Sequence, residues 1–241
     1  MELKIDEIIR SSRRTISLEI TREGRLVIRA PIGAPKKLIE AAVEQKRGWI
    51  LDKQKSAAAR DAVHPPKICA EGETFSLLGE NYTLCFDGGA KKITAEDSRL
   101  IVPLSIKSNI KNAITEWYKE QAYAVLRQRV GYHASRANVK VGSLKITSAL
   151  SRWGSCSFDN KQHISGEMLC QSGGKLCFTW RLVMAPLEMI DYVVVHELSH
   201  ISHPDHSAAF WRRVGELMPD YAVRRDWFRR NSALLRRDFF A

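Results

Sequence analysis

Apolar and polar residues alternate over Thr15-Ile16-Ser17-Leu18-Glu19-Ile20-Thr21, a period of two that predicts a half-buried strand. Gly24 supplies a turn, and Leu26-Val27-Ile28-Arg29-Ala30-Pro31 completes a hairpin. The period then changes. After Pro35, residues Leu38, Ile39, Ala42, Val43, Trp49 and Ile50 recur at helical spacing, predicting one helix from 36 to about 60. Val63-His64-Pro65-Pro66 stops it. Phe75 to Leu84 reads as two strands around a Gly79-Glu80-Asn81 turn. Short strands follow near 92–95 and 100–104. The composition shifts at Ser105. From there to about Ala137, Ile110, Ala113, Ile114, Trp117, Tyr118, Ala122, Leu126 and Val130 form the apolar stripe of a long helix. Val139–Leu150 and Leu176–Trp180 read as strands, and the last third is helical. The pattern gives an α+β protein in two regions. Residues 1–104 form a β-rich N-terminal half with one helix, and residues 105–241 form a helical half.

Composition narrows the class. An apolar fraction of 44% and a charged fraction of 27% exclude a disordered or collagen-like chain. No apolar run is long enough to span a membrane. The first residues, Met1-Glu2-Leu3-Lys4-Ile5-Asp6-Glu7, lack the apolar core of a signal peptide, so a cytoplasmic protein without membrane contact is expected. The net charge is +11, and most of the excess lies beyond residue 104. That permits contact with a polyanion without specifying one. Five cysteines, none in a C-x-x-C pair, argue against a disulfide framework and against a four-cysteine zinc site. A Cys170–Cys177 pair requires facing strands. No feature of the sequence sets an oligomeric state.

The chemistry concentrates in Ile190-Asp191-Tyr192-Val193-Val194-Val195-His196-Glu197-Leu198-Ser199-His200-Ile201-Ser202-His203-Pro204-Asp205-His206. Pro186 is placed at the first helical position, with Glu188 in the first turn, where the helix dipole favours an acid. His196 and His200 are four apart, so their imidazoles leave one helix face together and can reach one zinc ion. Glu197 follows the first of them and can reach a water held there, as a general base. Pro204 is expected to end the helix, and a turn can swing His206 back as the third ligand. His203 stays open as a fourth ligand, a substrate contact or a surface residue.

The chain resembles the YgjP-like metallopeptidase domain family, related to the SprT-like zinc proteases. Several blocks carry the likeness: Arg10-Ser11-Ser12-Arg13-Arg14-Thr15-Ile16-Ser17-Leu18, Val27–Pro31 and Gly79-Glu80-Asn81-Tyr82. Ser151-Arg152-Trp153-Gly154-Ser155-Cys156-Ser157 is the most distinctive, followed by Asp191–Leu198, His206-Ser207 and Phe210-Trp211. The resemblance implies a zincin-like C-terminal half, with Zn2+ on His196, His200 and His206 and Glu197 as the base. Asp159–Lys175 is longer than the family's usual connection, which bears on the shape of the substrate cleft.

Other residues have two readings each. Arg152, Trp153 and Ser155 sit where a strand edge can hold an extended peptide beside the metal. Alternatively, Trp153 packs in the core and Arg152 pairs with an acid. Ser155 and Cys156 have no evident base to make either a nucleophile. Tyr221 can hydrogen-bond an oxyanion or simply pack. Arg212, Arg213, Arg224, Arg225, Arg229, Arg230, Arg236 and Arg237 form either a weak nucleic-acid contact or the solvated side of amphipathic helices. The sequence therefore reads as a zinc-dependent hydrolase, most simply a metallopeptidase acting on a peptide or protein substrate. The alternatives are a zinc hydrolase of non-peptide amides and a basic nucleic-acid-associated module with a residual zinc site.

Overall fold

Leu26, Val27, Ile28 and Ala30 are all buried; since neighbouring side chains of a strand point to opposite faces, this strand is covered on both faces at its start. The computed structural model describes residues 3–21, 24–63, 67–158, 173–235 and 240, and it divides into two units, Met1–Pro66 and Lys67–Ala241. In the first unit, β1 (Glu7–Ser11), β2 (Ser17–Ile20) and β3 (Leu26–Pro31) form a sheet of order β1-β3-β2. The predicted hairpin is β2–β3, antiparallel with Leu18 opposite Ile28. β1 is an addition, parallel to β3. The Asp6 carboxylate steers it by accepting the Leu26 N–H at 2.7 Å. The Arg10 guanidinium donates to the carbonyls of Pro31, Ile32 and Ala34, closing the exit from β3.

Two helices follow instead of the single one expected: α1 (Lys36–Gln45) and α2 (Arg47–Val63). The chain leaves helical geometry at Lys46, whose N–H turns to the Val43 carbonyl in a tighter three-residue bond. Ile39, Val43 and Ile50 of these helices share one core with β3.

In the second unit, β4 (Thr74–Leu77), β5 (Glu80–Asp87), β6 (Thr94–Glu96) and β7 (Arg99–Pro103) form a sheet of order β4-β5-β7-β6. The β4–β5 turn falls one residue earlier than predicted, on Leu78 and Gly79, with φ of +52° and +85°. Its tip is anchored: the Leu78 N–H donates to the Val183 carbonyl at 2.7 Å. A Cβ on Gly79 would stand 3.0 Å from Pro186.

After a 3-10 turn (Leu104–Asn109), α3 (Ile110–Ala137) runs to Asn138, which adopts the left-handed conformation that ends helices. Ile114, Tyr118, Ala122 and Leu126 repeat every four residues and are fully buried. The composition shift at Ser105 falls inside this unit, where the four-stranded sheet and α3 share one core. Beyond α3 the chain is not purely helical. β8 (Val141–Thr147), β9 (Gly154–Ser157) and β10 (Gly174–Thr179) form a sheet of order β8-β10-β9, with β9 at its end and antiparallel to β10. Then come α4 (Leu187–Ser199), α5 (Ala208–Leu217) and α6 (Tyr221–Leu235). The described residues thus hold six α-helices and three sheets. None of the helices is long and apolar enough to cross a membrane. Cys69, Cys85, Cys156 and Cys177 are free thiols, whereas Cys170, with most of the Asp159–Lys175 connection, lies outside the described residues.

One ion pair ties α3 to α4. Arg129 donates twice to the Asp191 carboxylate, at 2.6 and 2.7 Å, and His133 Nε2 lies 3.1 Å from the same group. Burial alone would raise the Asp191 carboxyl, but the His133 and Arg129 contacts outweigh it and hold the group below the usual carboxylate range. A depressed carboxyl gives stability that is present above its unfolded value near 4 and lost as pH falls through the folded value. Arg129→Ala should therefore cost about 3–5 kcal/mol at neutral pH, because it strands a buried charge. Its deficit should shrink in acid. Urea melts at pH 7 and pH 3 check both, and an equal deficit at the two values would contradict the assignment.

Candidate metal centre

α4 starts from Pro186, which is its N-cap rather than its first helical residue, with Glu188 in the first turn. It ends at Ser199, five residues before Pro204. The stop is made by hydrogen bonding, not by proline. The Ile201 and Ser202 N–H groups turn back to the Leu198 and Ser199 carbonyls, tightening the last turn, and Ser202 Oγ donates to the Ser199 carbonyl as well. His196 projects from the last turn of α4, and His200 sits at its C-cap. His206 precedes α5, whose N-cap is Ser207, and the Asp205 carboxylate accepts the Ser207 N–H.

Those three imidazoles converge. One ring nitrogen from each lies within 4.8 Å of the others, and His196 Nε2 is 3.1 Å from His206 Nε2. The fully buried Phe210 of α5 holds the set: its ring stacks on His200 at 4.5 Å and meets His196 and His206 edge-on at 4.9 Å each. His203 is not part of the cluster. Its side chain contacts Ser202 Oγ, while its carbonyl accepts the His200 Nδ1–H at 3.1 Å. A carbonyl can only accept, so the proton is fixed on Nδ1 and the Nε2 lone pair of His200 is free.

Two of the three imidazoles, those of His196 and His200, are biased toward the neutral form. Burial, then the neighbouring His200 and His206, push His196 down to about 3. Burial also lowers His200, against the hydrogen bond from its ring to the His203 carbonyl. Neutral imidazoles are the form that binds a metal. The separation of 3.1 Å between two ring nitrogens is close to the roughly 3.3 Å between nitrogens in a tetrahedral zinc-sized shell. The buried Nδ1 of His196 has no hydrogen-bond partner, and its Nε2 faces the Nε2 of His206. Three converging imidazoles without a carboxylate to neutralise them fit a divalent metal ion.

Glu197 is buried beside them and is held from another direction. It lies against β9: a Cβ on Gly154 would come within 2.7 Å of its Cγ and Oε1. Burial pushes Glu197 up to about 7, opposed by the positive charge of Arg152 and by a hydrogen bond from the Cys156 N–H. A cavity of about 300 Å³ opens here, lined by Glu197 and His196 together with Arg152, Trp153, Gly154 and Tyr192 and with Arg225 and Phe228 of α6. A larger one, about 560 Å³, lies between β6 and α3 and is lined by none of the histidines.

The other expected site residues separate. Arg152 and Trp153 reach the cavity, and the Trp153 ring also packs on Phe228 at 5.3 Å. Ser155 pairs with Cys177 inside the sheet, and Tyr221 stacks on Trp211 at 5.5 Å, neither lining the cavity. Tyr192 and Phe228 carry no site role in the sequence reading, and Arg225 enters it only as one of the C-terminal arginines, whereas all three line the cavity. Their signal was the family-like Asp191–Leu198 block and an α6 face that reads as ordinary amphipathic helix. Several C-terminal arginines are engaged internally: Arg213 with Glu216, Arg224 with Asp220, and Arg229 and Arg230 with Asp226. Arg236 and Arg237 lie outside the described residues.

A family model for the YgjP-like metallopeptidase domain matches residues 14–167 and 168–231. The chain is thus a mixed α/β protein of metallopeptidase type. More particularly, it belongs to the YgjP-like metallopeptidase domain family. No curated protein and no solved structure matched it.

The approach of Glu197 to Gly154 can be tested directly. Gly154→Ala should cost about 1–3 kcal/mol, the usual penalty for overpacking. Adding Glu197→Ala should relieve most of it, since the atoms that clash are then gone. Thermal melts of the two singles and the double form the cycle. Additive costs would show that the strand does not press on the carboxylate.

Proposed function

We propose that the protein is a zinc-dependent peptidase, with His196, His200 and His206 holding the ion and Glu197 acting as general base. The observation that supports this best is a cavity lined by both His196 and Glu197, next to three converging imidazoles. Three protein ligands leave a fourth position open, the arrangement of catalytic rather than structural zinc sites. Zinc bound there supplies Lewis acidity, lowering the pKa of a water and polarising a carbonyl. The rest is the work of the chain. Glu197, pushed to about 7 by burial, takes the proton of the attacking water on its carboxylate and delivers it to the leaving amine nitrogen. The Cys156 N–H holds the carboxylate in place. Phe210 and the His203 carbonyl keep the imidazoles oriented, and Tyr192 and Trp153 give the cavity an aromatic wall.

The purified chain is expected to carry about one zinc per molecule, by mass spectrometry, and His196→Ala should lose most of it. Glu197→Gln keeps size but removes the base. It should lower peptide hydrolysis by about 10²–10⁴-fold while zinc content and melting temperature stay near those of the parent. A Glu197→Gln variant that cleaves at the parental rate would refute the mechanism. One that sheds its zinc would make Glu197 a ligand.

A further inference from the structure

The cavity beside Glu197 contains more than hydrolysis requires. Its apolar lining is Tyr192, Trp153 and Phe228, with the Phe228 ring 5.3 Å from Trp153 and 6.0 Å from Tyr192. Two guanidinium side chains, Arg152 and Arg225, line the same space. Arg225 is not loose: its Cζ lies 4.8 Å from the Trp211 ring centroid and 5.9 Å from that of Tyr221. Ring faces orient a guanidinium while leaving its N–H groups unspent. The neighbours of Arg225 on α6 show the contrast. Arg224 bonds Asp220 and the Glu188 carbonyl, and Arg229 and Arg230 share Asp226. Among the described residues, neither Arg152 nor Arg225 forms an ion pair with a carboxylate. Arg152 acts on the Glu197 charge, and Arg225 on Tyr192, only at longer range.

Two guanidinium charges share the cavity with one carboxyl, that of Glu197, so the positive charge is in excess and a further anion offsets the repulsion between the guanidinium groups. A planar guanidinium matches a carboxylate through two parallel hydrogen bonds. A volume of about 300 Å³ is at the small end for ligand sites, enough for one side chain. Its apolar lining suits methylene groups leading to a charged end. From this arrangement we infer that the cavity is a recognition subsite for a carboxylate of the substrate, held by Arg225 and Arg152 next to the scissile bond. The carboxylate comes from an acidic side chain or from a free C-terminus. The inference rests on the peptidase reading for the word substrate, but the subsite itself is a binding property and is tested as one.

The test uses the zinc-loaded full chain and small hydroxamates, which bind through the metal whether or not any peptide is cleaved. Acetyl-glutamyl and acetyl-glutaminyl hydroxamates differ only in charge. Hydroxamoyl-succinyl-alanine and its amide do the same for a C-terminal carboxylate. At low salt the acid of one pair should bind about fivefold more tightly than its amide, the size of a solvent-exposed ion pair. The preferred pair identifies the source. The advantage should fall with added salt, vanish in Arg225→Gln, and largely return in Arg225→Lys. Acid and amide of equal affinity in both pairs overturn the inference, as does an acid preference that survives in the Arg152→Gln/Arg225→Gln double variant. Peptide cleavage is measured separately. A clear acid preference without any cleavage leaves the subsite standing and removes the peptidase reading.

Discussion

Beyond its exposed first turn, helix α4 is almost wholly buried, and the site follows from that. Ile190, Val194, Val195 and Leu198 are at most 1% exposed, and they point in more directions than one apolar stripe can cover. A helix in that position has no water to satisfy the polar side chains it carries, so each needs a partner within the protein. Asp191 meets Arg129, Ser199 Oγ donates to the Val195 carbonyl, and Glu197 meets a backbone N–H of β9. Glu197 is the acid left without an ion pair, and burial raises it most plainly for that reason. His196 is held neutral by the same burial. The environment that would be costly for a purely structural helix is what keeps a carboxyl near neutrality and an imidazole unprotonated.

The second constraint is the closeness of β9. Glu197 reaches the Cys156 N–H because residue 154 has no side chain. Any Cβ there would occupy the space of the Glu197 Cγ. β10 presses from the other side of β9: Leu176 and Phe178 are fully buried and pair with Cys156 and Gly154. The strand therefore cannot back away. The carboxylate is positioned by a sheet edge and the imidazoles by helix ends, so strain on one does not have to move the other.

The convergence of the three histidines was legible in the sequence because they lie close along the chain. A spacing of four fixes His196 against His200, and any tight return brings His206 back. The alternating pattern of Thr15–Thr21 and the four-residue stripe of α3 were legible for the same reason, being local periodicities. Long-range features were not. β1 reads as charged and only partly apolar, and its pairing depends on an Asp6–Leu26 contact across the hairpin. The break at Lys46 and the end of α4 at Ser199 come from three-residue hydrogen bonds, which leave no mark as strong as proline. Gly154 could be seen as part of a distinctive block, but what it makes room for could not.

The cavity was the least legible feature, and the reason is topological. The metal-facing imidazoles come from one continuous stretch, whereas the cavity is assembled from residues near 152, near 192–197 and from α6. α6 also serves two purposes with neighbouring side chains. Phe228 is buried in the core, while Arg225, almost one turn earlier, is exposed at the cavity. A change at Arg225 can therefore alter what the cavity accepts without loosening α6, whereas a change at Phe228 would disturb both cavity and core. Among the described residues, the histidine cluster reaches α6 through intervening rings: Trp211, 5.8 Å from His196 and 5.5 Å from Tyr221, and Tyr192, 6.0 Å from both His196 and Phe228. In the proposed mechanism Glu197 and two of the histidines come from the buried α4 and its C-cap, whereas Arg225 stands on the exposed side of α6, so a substitution at Arg225 leaves the packing of α4 in place.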